Sequence, residues 1–199
     1  MAFLRVSKIL PCSEANGPGK RFALWVQGCS GVPQIDGMVR HCRNCWNRHT
    51  WSKSAGEVMP VDDVFAQVEQ AVREYGVEGI TFSGGEPFQQ AEALAELAQR
   101  CKECGFNIVV FTGYTIKYLR SDRAPSGTDE LLRHVDLLID GSYTATLRTE
   151  EMPLRGSSNQ RLVPLSEVGR QLADRVTDDL PVVEFNFTSG GLAVTGFPR

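Results

Sequence analysis

Two rhythms of apolar and polar positions run along the chain. Short continuous apolar runs occur in RFALWVQG (residues 21–28), GITFSGGEP (79–87), NIVVFTGY (107–114) and VDLLIDG (135–141). Each ends in glycine or polar residues, which reads as a buried strand closed by a turn. Between them lie segments with helical spacing. In residues 61–76, Val61, Val64, Phe65, Val68 and Val72 recur at intervals of one helical face, and Gly76 is the expected stop. Residues 89–105 are rich in alanine and leucine and close on Gly105, which predicts a second helix. Shorter helical stretches around TIKYLR and TDELLRHV are separated by the breaker-rich SDRAPSG. After residue 160, RLVPL offers one more strand and SEVGRQLADRV a helix with Ser166 as N-cap. PVVEFNFTSGGLAVTGFP alternates around Ser-Gly-Gly and predicts a β-hairpin.

Strands of this kind alternating with helices predict an α/β fold, a parallel sheet covered by helices. Such sheets carry their chemistry at the C-terminal ends of the strands. Those ends hold Cys29, then Ser83-Gly84-Gly85-Glu86-Pro87, then Thr112-Gly113-Tyr114, then Asp140-Gly141. Four polar or glycine-rich strand ends are therefore expected on one face.

The 199 residues suffice for one domain with a small appendage, and 42% hydrophobic with 23% charged residues is ordinary for a globular chain. The net charge of -3 argues against non-specific nucleic-acid binding. No apolar run approaches the roughly 20 residues of a membrane span. The N-terminal stretch is broken by Arg5 and Lys8 and lacks a signal-peptide layout. A cytoplasmic setting is expected, in which clustered cysteines suggest metal or catalysis before disulfides.

Three of the six cysteines, Cys29, Cys42 and Cys45, fall in one glycine- and arginine-rich loop. On spacing alone, a zinc site completed by His41 or His49 and an iron–sulfur cluster stand equal. A cluster held by three cysteines leaves one iron without a protein ligand, which makes sense if a small molecule binds there. SGGEP suits such a ligand. A glycine pair lets a ligand approach the backbone closely, and Glu86 can accept from an ammonium. Equally, SGGEP can be a tight strand-to-helix turn with Glu86 at the helix start. Cys101 and Cys104 form a CxxC near a helix end, short of further ligands.

Seven fragments in order, NGPG (16–19), GC (28–29), CRNCWNRHTW (42–51), SGGEP (83–87), FTGY (111–114), LLIDG (137–141) and RGSSNQ (155–160), carry a resemblance. The chain resembles the activating proteins of anaerobic ribonucleotide reductase, in the radical SAM superfamily, over about residues 10 to 160. The resemblance implies a partial, open (β/α) barrel spanning residues 1–160, with a small C-terminal α+β extension over 161–199. It implies a [4Fe–4S] cluster on Cys29, Cys42 and Cys45, whose fourth iron is chelated by the amine and carboxylate of S-adenosylmethionine. Gly84, Gly85 and Glu86 would hold the methionyl amine, and the backbone near Asn44 and Trp46 would face the adenine. Thr112 and Asp140 are further candidates for contacts to the cofactor or an associated cation. Arg155 either holds the cofactor carboxylate or forms a salt bridge.

The implied reaction is reductive cleavage of S-adenosylmethionine to a 5′-deoxyadenosyl radical, fed by a flavodoxin- or ferredoxin-like donor. The implied substrate is a glycine Cα–H of a partner such as anaerobic ribonucleotide reductase. One departure stands out. The family usually has three residues between the first two cysteines, and this chain has SGVPQIDGMVRH, nine more. Its glycine, proline and aspartate predict a surface excursion. The insert and the tail keep open a radical enzyme acting on a small molecule or peptide, such as a 7-carboxy-7-deazaguanine synthase. A non-catalytic zinc module is the further alternative.

Overall fold

A computed structural model describes residues 2–177, 179–180, 183–188 and 191–196. The chain opens with β1 (Phe3–Ser13) and β2 (Arg21–Val26), followed by the two-residue strands β3 (Val32–Pro33) and β4 (Val39–Arg40). Then come β5 (Glu57–Pro60), α1 (Val61–Tyr75), β6 (Gly79–Gly84), α2 (Ala91–Glu103) and β7 (Asn107–Phe111). The short helices α3 (Ile116–Leu119) and α4 (Thr128–His134) lead to β8 (Leu137–Asp140) and β9 (Arg161–Pro164). Last are α5 (Glu167–Asp174), β10 (Val183–Thr188) and β11 (Gly191–Gly196).

The central sheet has seven strands in the order β5-β1-β2-β6-β7-β8-β9. The four strands read from the sequence, β2, β6, β7 and β8, are mutually parallel. The sheet as a whole is mixed, because β1 and β9 run antiparallel to their neighbours. Residues 14–20 are too few for the crossover of about a dozen residues that a parallel β1–β2 pair would need. No strand was expected before Arg21, yet β1 is there. Leu4 and Val6 face the main core, and a register shift between Val6 and Lys8 turns Lys8 and Leu10 to the opposite face, where Leu10 packs with Ala23 and Trp25 and the Lys8 ammonium lies 5.1 Å from the Trp25 ring centre.

Strand alternation divides the sheet into unlike faces. Phe22, Leu24 and Val26 of β2, Ile80 and Phe82 of β6, and Ile108 and Val110 of β7 enter the main core. Val61, Val64, Phe65, Val68 and Ala71 of α1 and Leu94, Leu97 and Ala98 of α2 join them there. On the opposite face Trp25, Ser83 and Phe111 border a cavity. Helices outside and a cavity inside make this an open half-barrel, the α/β class expected.

Local signals behave as their chemistry dictates. Gly76 closes α1 with φ of 65° and donates to the Val72 carbonyl at 3.0 Å. The Ser166 hydroxyl accepts from Gly169 N at 3.0 Å as the cap of α5. The second helix starts at Ala91, after a 3-10 turn over Pro87–Gln90, two residues later than its pattern suggests. The strand expected from RLVPL is β9, which joins the central sheet beside β8. The predicted hairpin is β10 paired with β11, and its Ser189-Gly190 turn lies outside the described residues. Among the described residues no helix is long and apolar enough to cross a membrane.

Candidate cofactor site

The cysteine loop leaves the end of β2 and returns to it. Gly28 N donates to Thr50 O at 2.7 Å and Cys29 N to Trp51 O at 3.1 Å. The buried Gln27 amide spans the same gap, donating to His49 O at 3.1 Å and Ser52 O at 2.8 Å. Gln90 adds a second brace, donating to Gln27 O at 2.9 Å and Arg5 O at 3.0 Å. Inside the loop, β3 and β4 form a small hairpin. Its tip exposes Ile35, Met38 and Val39, as a surface excursion should. Its root does not: Val32 is buried in the main core, and the Gln34 amide reaches to 3.8 Å of the Cys42 sulfur.

The glycine turn after β6 packs directly on this base. Gly85 N donates to Val26 O at 2.8 Å and Glu86 N to Gly28 O at 3.0 Å. A Cβ at Gly85 would sit 2.1 Å from the Gly28 carbonyl oxygen, and one at Gly84 would sit 2.4 Å from the Val26 carbonyl oxygen. The glycine pair is therefore required by the approach of β2.

Glu86 is buried and anchors three segments. Its Oε1 accepts from the Thr112 hydroxyl at 2.7 Å and from Phe88 N at 3.1 Å, and its Oε2 accepts from Gly113 N at 2.9 Å. Burial pushes its carboxyl up to about 7, against those three donors. Because the folded pKa lies above the unfolded one, the associated stability is complete below the unfolded pKa and is lost as pH rises through about 7. The loss should approach about 3 kcal/mol between about pH 4 and about pH 8. Urea unfolding of the apoprotein against pH, wild type beside Glu86→Gln, reads it as a difference that changes over that window. A pH-independent difference would show the carboxylate ionised throughout.

Cys29, Cys42, Cys45, Gly84, Gly85, Glu86, Thr112 and Trp46 all border one cavity of about 380 Å³ on the inner face of the sheet. Gly31 N donates to the Cys29 sulfur at 3.4 Å. Burial pushes the Cys29 thiol up to about 11, and burial also raises Cys42 against the Gln34 amide and the Tyr143 N–H. Metal binding at Cys29 and Cys42 must therefore release protons. His49 borders the same cavity as the three thiols. His41 has another role: its Nε2 lies 2.8 Å from Cys29 O, and its ring stacks on Trp51 at 4.0 Å. Three thiols bordering one cavity, beside the glycine turn, suit a polynuclear cluster with one open iron.

Three candidates lie outside the cavity wall. Asp140 is wholly buried in a bidentate pair with Arg161, its Oδ1 accepting from Nε at 2.9 Å and its Oδ2 from Nη2 at 2.5 Å. Its Oδ2 also accepts from Ile116 N at 2.7 Å, so it ties β8 to β9 and α3. Asn44, at φ of 59°, accepts from Arg48 at 3.0 Å. Arg155 is half-buried, with its Nε donating to Pro153 O at 3.3 Å. Conversely, Asn47, Tyr143, Gln160 and Thr195 border the cavity without having been singled out. Asn47 sits within CRNCWNRHTW and donates to Gly84 O at 3.4 Å. Thr195 gave no signal, because only folding brings the C-terminal hairpin to the cavity.

This arrangement defines the class: a family model described as a 4Fe-4S single cluster domain matches residues 15–163. The chain is 31% identical to the anaerobic ribonucleoside-triphosphate reductase-activating protein of Enterobacteria phage T4, over 80% of this chain and 93% of that protein. It is 32% identical to the protein of the same name from Vibrio cholerae serotype O1, over 75% and 91% of the two chains. The crystal structure of QueE from Escherichia coli superposes with a TM-score of 0.44 at 16% identity, covering 57% of this chain and 53% of that one. The chain belongs to the family of anaerobic ribonucleoside-triphosphate reductase-activating proteins. The matched family model is that of a 4Fe-4S cluster domain, a group that the three cysteines bordering the cavity suit.

Proposed function

We propose that the chain generates a glycyl radical on an anaerobic ribonucleoside-triphosphate reductase. The observation that carries this reading is the single cavity bordered by Cys29, Cys42, Cys45 and the glycine turn, in a chain of this family. The three cysteines hold the cluster, and the backbone of Gly84 and Gly85 with Glu86, Thr112 and Trp46 receives S-adenosylmethionine. When bound, these groups supply one-electron cleavage of the sulfonium and a carbon radical able to abstract hydrogen. The chain's own residues set the geometry. Glu86 fixes the Thr112-Gly113 turn against the glycine turn, and Gln27 fixes the loop that carries the cysteines. A flavodoxin- or ferredoxin-like donor in the cytoplasm supplies the electron, a setting that suits six free cysteines.

Cavity size supports a protein substrate. About 380 Å³ is near the low end of the roughly 300–1,000 Å³ of ligand pockets. One nucleoside-sized cofactor occupies such a space, so the reacting C–H must be presented at the mouth. A glycine on a loop of another protein meets that demand, with no side chain to obstruct its Cα–H.

The test uses anaerobically reconstituted protein with dithionite and S-adenosylmethionine. Released 5′-deoxyadenosine is expected even without a partner. Adding the reductase should give a glycyl-type doublet in electron paramagnetic resonance, absent when the reductase's radical glycine is replaced by alanine. Cleavage without any protein radical would transfer the reading to a small-molecule or peptide substrate.

A further inference from the structure

The C-terminal hairpin is inverted for a sheet resting on a protein body. Its register pairs Phe185 with Val194 and Phe187 with Leu192, which places Val183, Phe185, Leu192 and Val194 on one face. Glu184, Asn186 and Thr195 lie on the other. A sheet with one covered face ordinarily turns its apolar side inward. Here the polar side is inward. The Ser13 hydroxyl donates to Glu184, and the Thr195 hydroxyl accepts from Asn16 Nδ2 at 3.0 Å and donates to Asn16 Oδ1 at 3.2 Å. The apolar side faces solvent, with Phe185 64%, Leu192 55% and Val194 47% exposed.

That face adjoins the cofactor cavity. Val194 borders the cavity, as does Trp46 of the cysteine loop, which is 54% exposed. Scattered apolar residues on a surface need no explanation, but an adjacent set at the rim of a binding cavity marks an interaction surface. The family match ends at residue 163, so the hairpin is an addition to the shared core.

We propose that the outward face of β10–β11 docks the polypeptide segment of the partner protein that carries the reacting residue to the cavity mouth. This rests on the glycyl-radical reading above. That reading leaves the reacting C–H at the mouth, so its carrier must lie across the rim. The two strands pair only with each other among the described residues, which leaves strand edges for an extended segment to join through backbone hydrogen bonds. Its apolar side chains then cover Phe185 and Leu192. A second copy of this chain could cover the same face but would bring no substrate hydrogen to the cavity.

The experiment compares wild type, the double variant Phe185→Thr/Leu192→Thr, and Val58→Thr. Threonine keeps the preference for strands, and neither hairpin position borders the cavity. Val58, 51% exposed on β5, is an equally apolar control on a strand that neither pairs with the hairpin nor borders the cavity. Cleavage of S-adenosylmethionine without partner should be unchanged in all three. Affinity for the reductase, and radical yield at limiting reductase, should fall roughly tenfold in the double variant alone. Unchanged affinity and yield in the double variant, with wild type forming the radical, would overturn the docking surface and leave the glycyl-radical reading intact. A wild-type dimer that the double variant dissociates, with reductase affinity intact, would reassign the face to self-association and overturn it too. Loss of partner-free cleavage in the double variant would mean that these residues hold the cavity instead. A wild type that makes no radical on the reductase overturns the glycyl-radical reading and the docking together.

Discussion

Alanine at Cys29, Cys42 or Cys45 should leave a protein that folds but incorporates no stable cluster. All three thiols border the same cavity, and no other cysteine does. Cys12 lies on β1, Cys101 is buried within α2, and Cys104 caps that helix's end, so none can move into the gap. Iron and sulfide content after anaerobic reconstitution should fall from about four irons per chain to near zero. The broad visible absorbance and 5′-deoxyadenosine release should fall with it. Alanine at Cys12, Cys101 or Cys104 should keep all three signals. Cys101→Ala should lower stability by about 1 kcal/mol through the cavity it leaves, with the cluster intact. A cysteine of the first set that proves dispensable would remove the cluster assignment.

Gly85→Ala should be nearly as damaging, by a different route. Its Cβ would stand 2.1 Å from the Gly28 carbonyl oxygen, a backbone atom that no rotamer change can move aside. Either the glycine turn or the chain leading into Cys29 must shift. The expected cost is about 1–3 kcal/mol of stability, the range for overpacking a tight site. Cluster content should fall further than that loss alone implies, because the displaced carbonyl adjoins Cys29. Gly76→Ala is the control. It has a left-handed φ of 65° but nothing within 4 Å of the added carbon. It should cost about 1 kcal/mol and leave iron uptake unchanged. Equal iron uptake by the two variants would show that the turn does not support the loop.

The chemistry that is local in sequence was readable, and the chemistry that folding assembles was not. Gly76 and Ser166 act within a turn of where they stand, so composition and periodicity found them. The three cysteines were found because their loop is continuous, and their convergence with SGGEP followed from strand ends lying side by side. Asp140 stood at a strand end too, but it faces Arg161 directly across the β8–β9 register. Nothing near Asp140 in the sequence announces that partner. Glu86 was placed at the correct turn, at the start of a helical segment; its cap on Phe88 N is a detail of that turn, and its bonds to Thr112 and Gly113 depend on β7 lying beside β6. The strand β1 was missed because a register shift between Val6 and Lys8 reverses its alternation, so that Leu4 and Val6 face the main core while Lys8 and Leu10 face the side of Trp25.

The base of the cysteine loop has a consequence for the life of the protein in air. Residues 28–51 are closed into a ring by the Gly28–Thr50 and Cys29–Trp51 hydrogen bonds and by the Gln27 amide, all of them bonds between protein atoms. A domain whose metal site forms only on folding collapses when the metal is taken away. Here the entropy of joining the loop ends is met by the protein's own bonds. Oxygen that dismantles the cluster should therefore strip the chain of activity without unfolding it. What remains is a socket that iron and sulfide can refill, so exposure is an interruption of service and recovery requires no new synthesis.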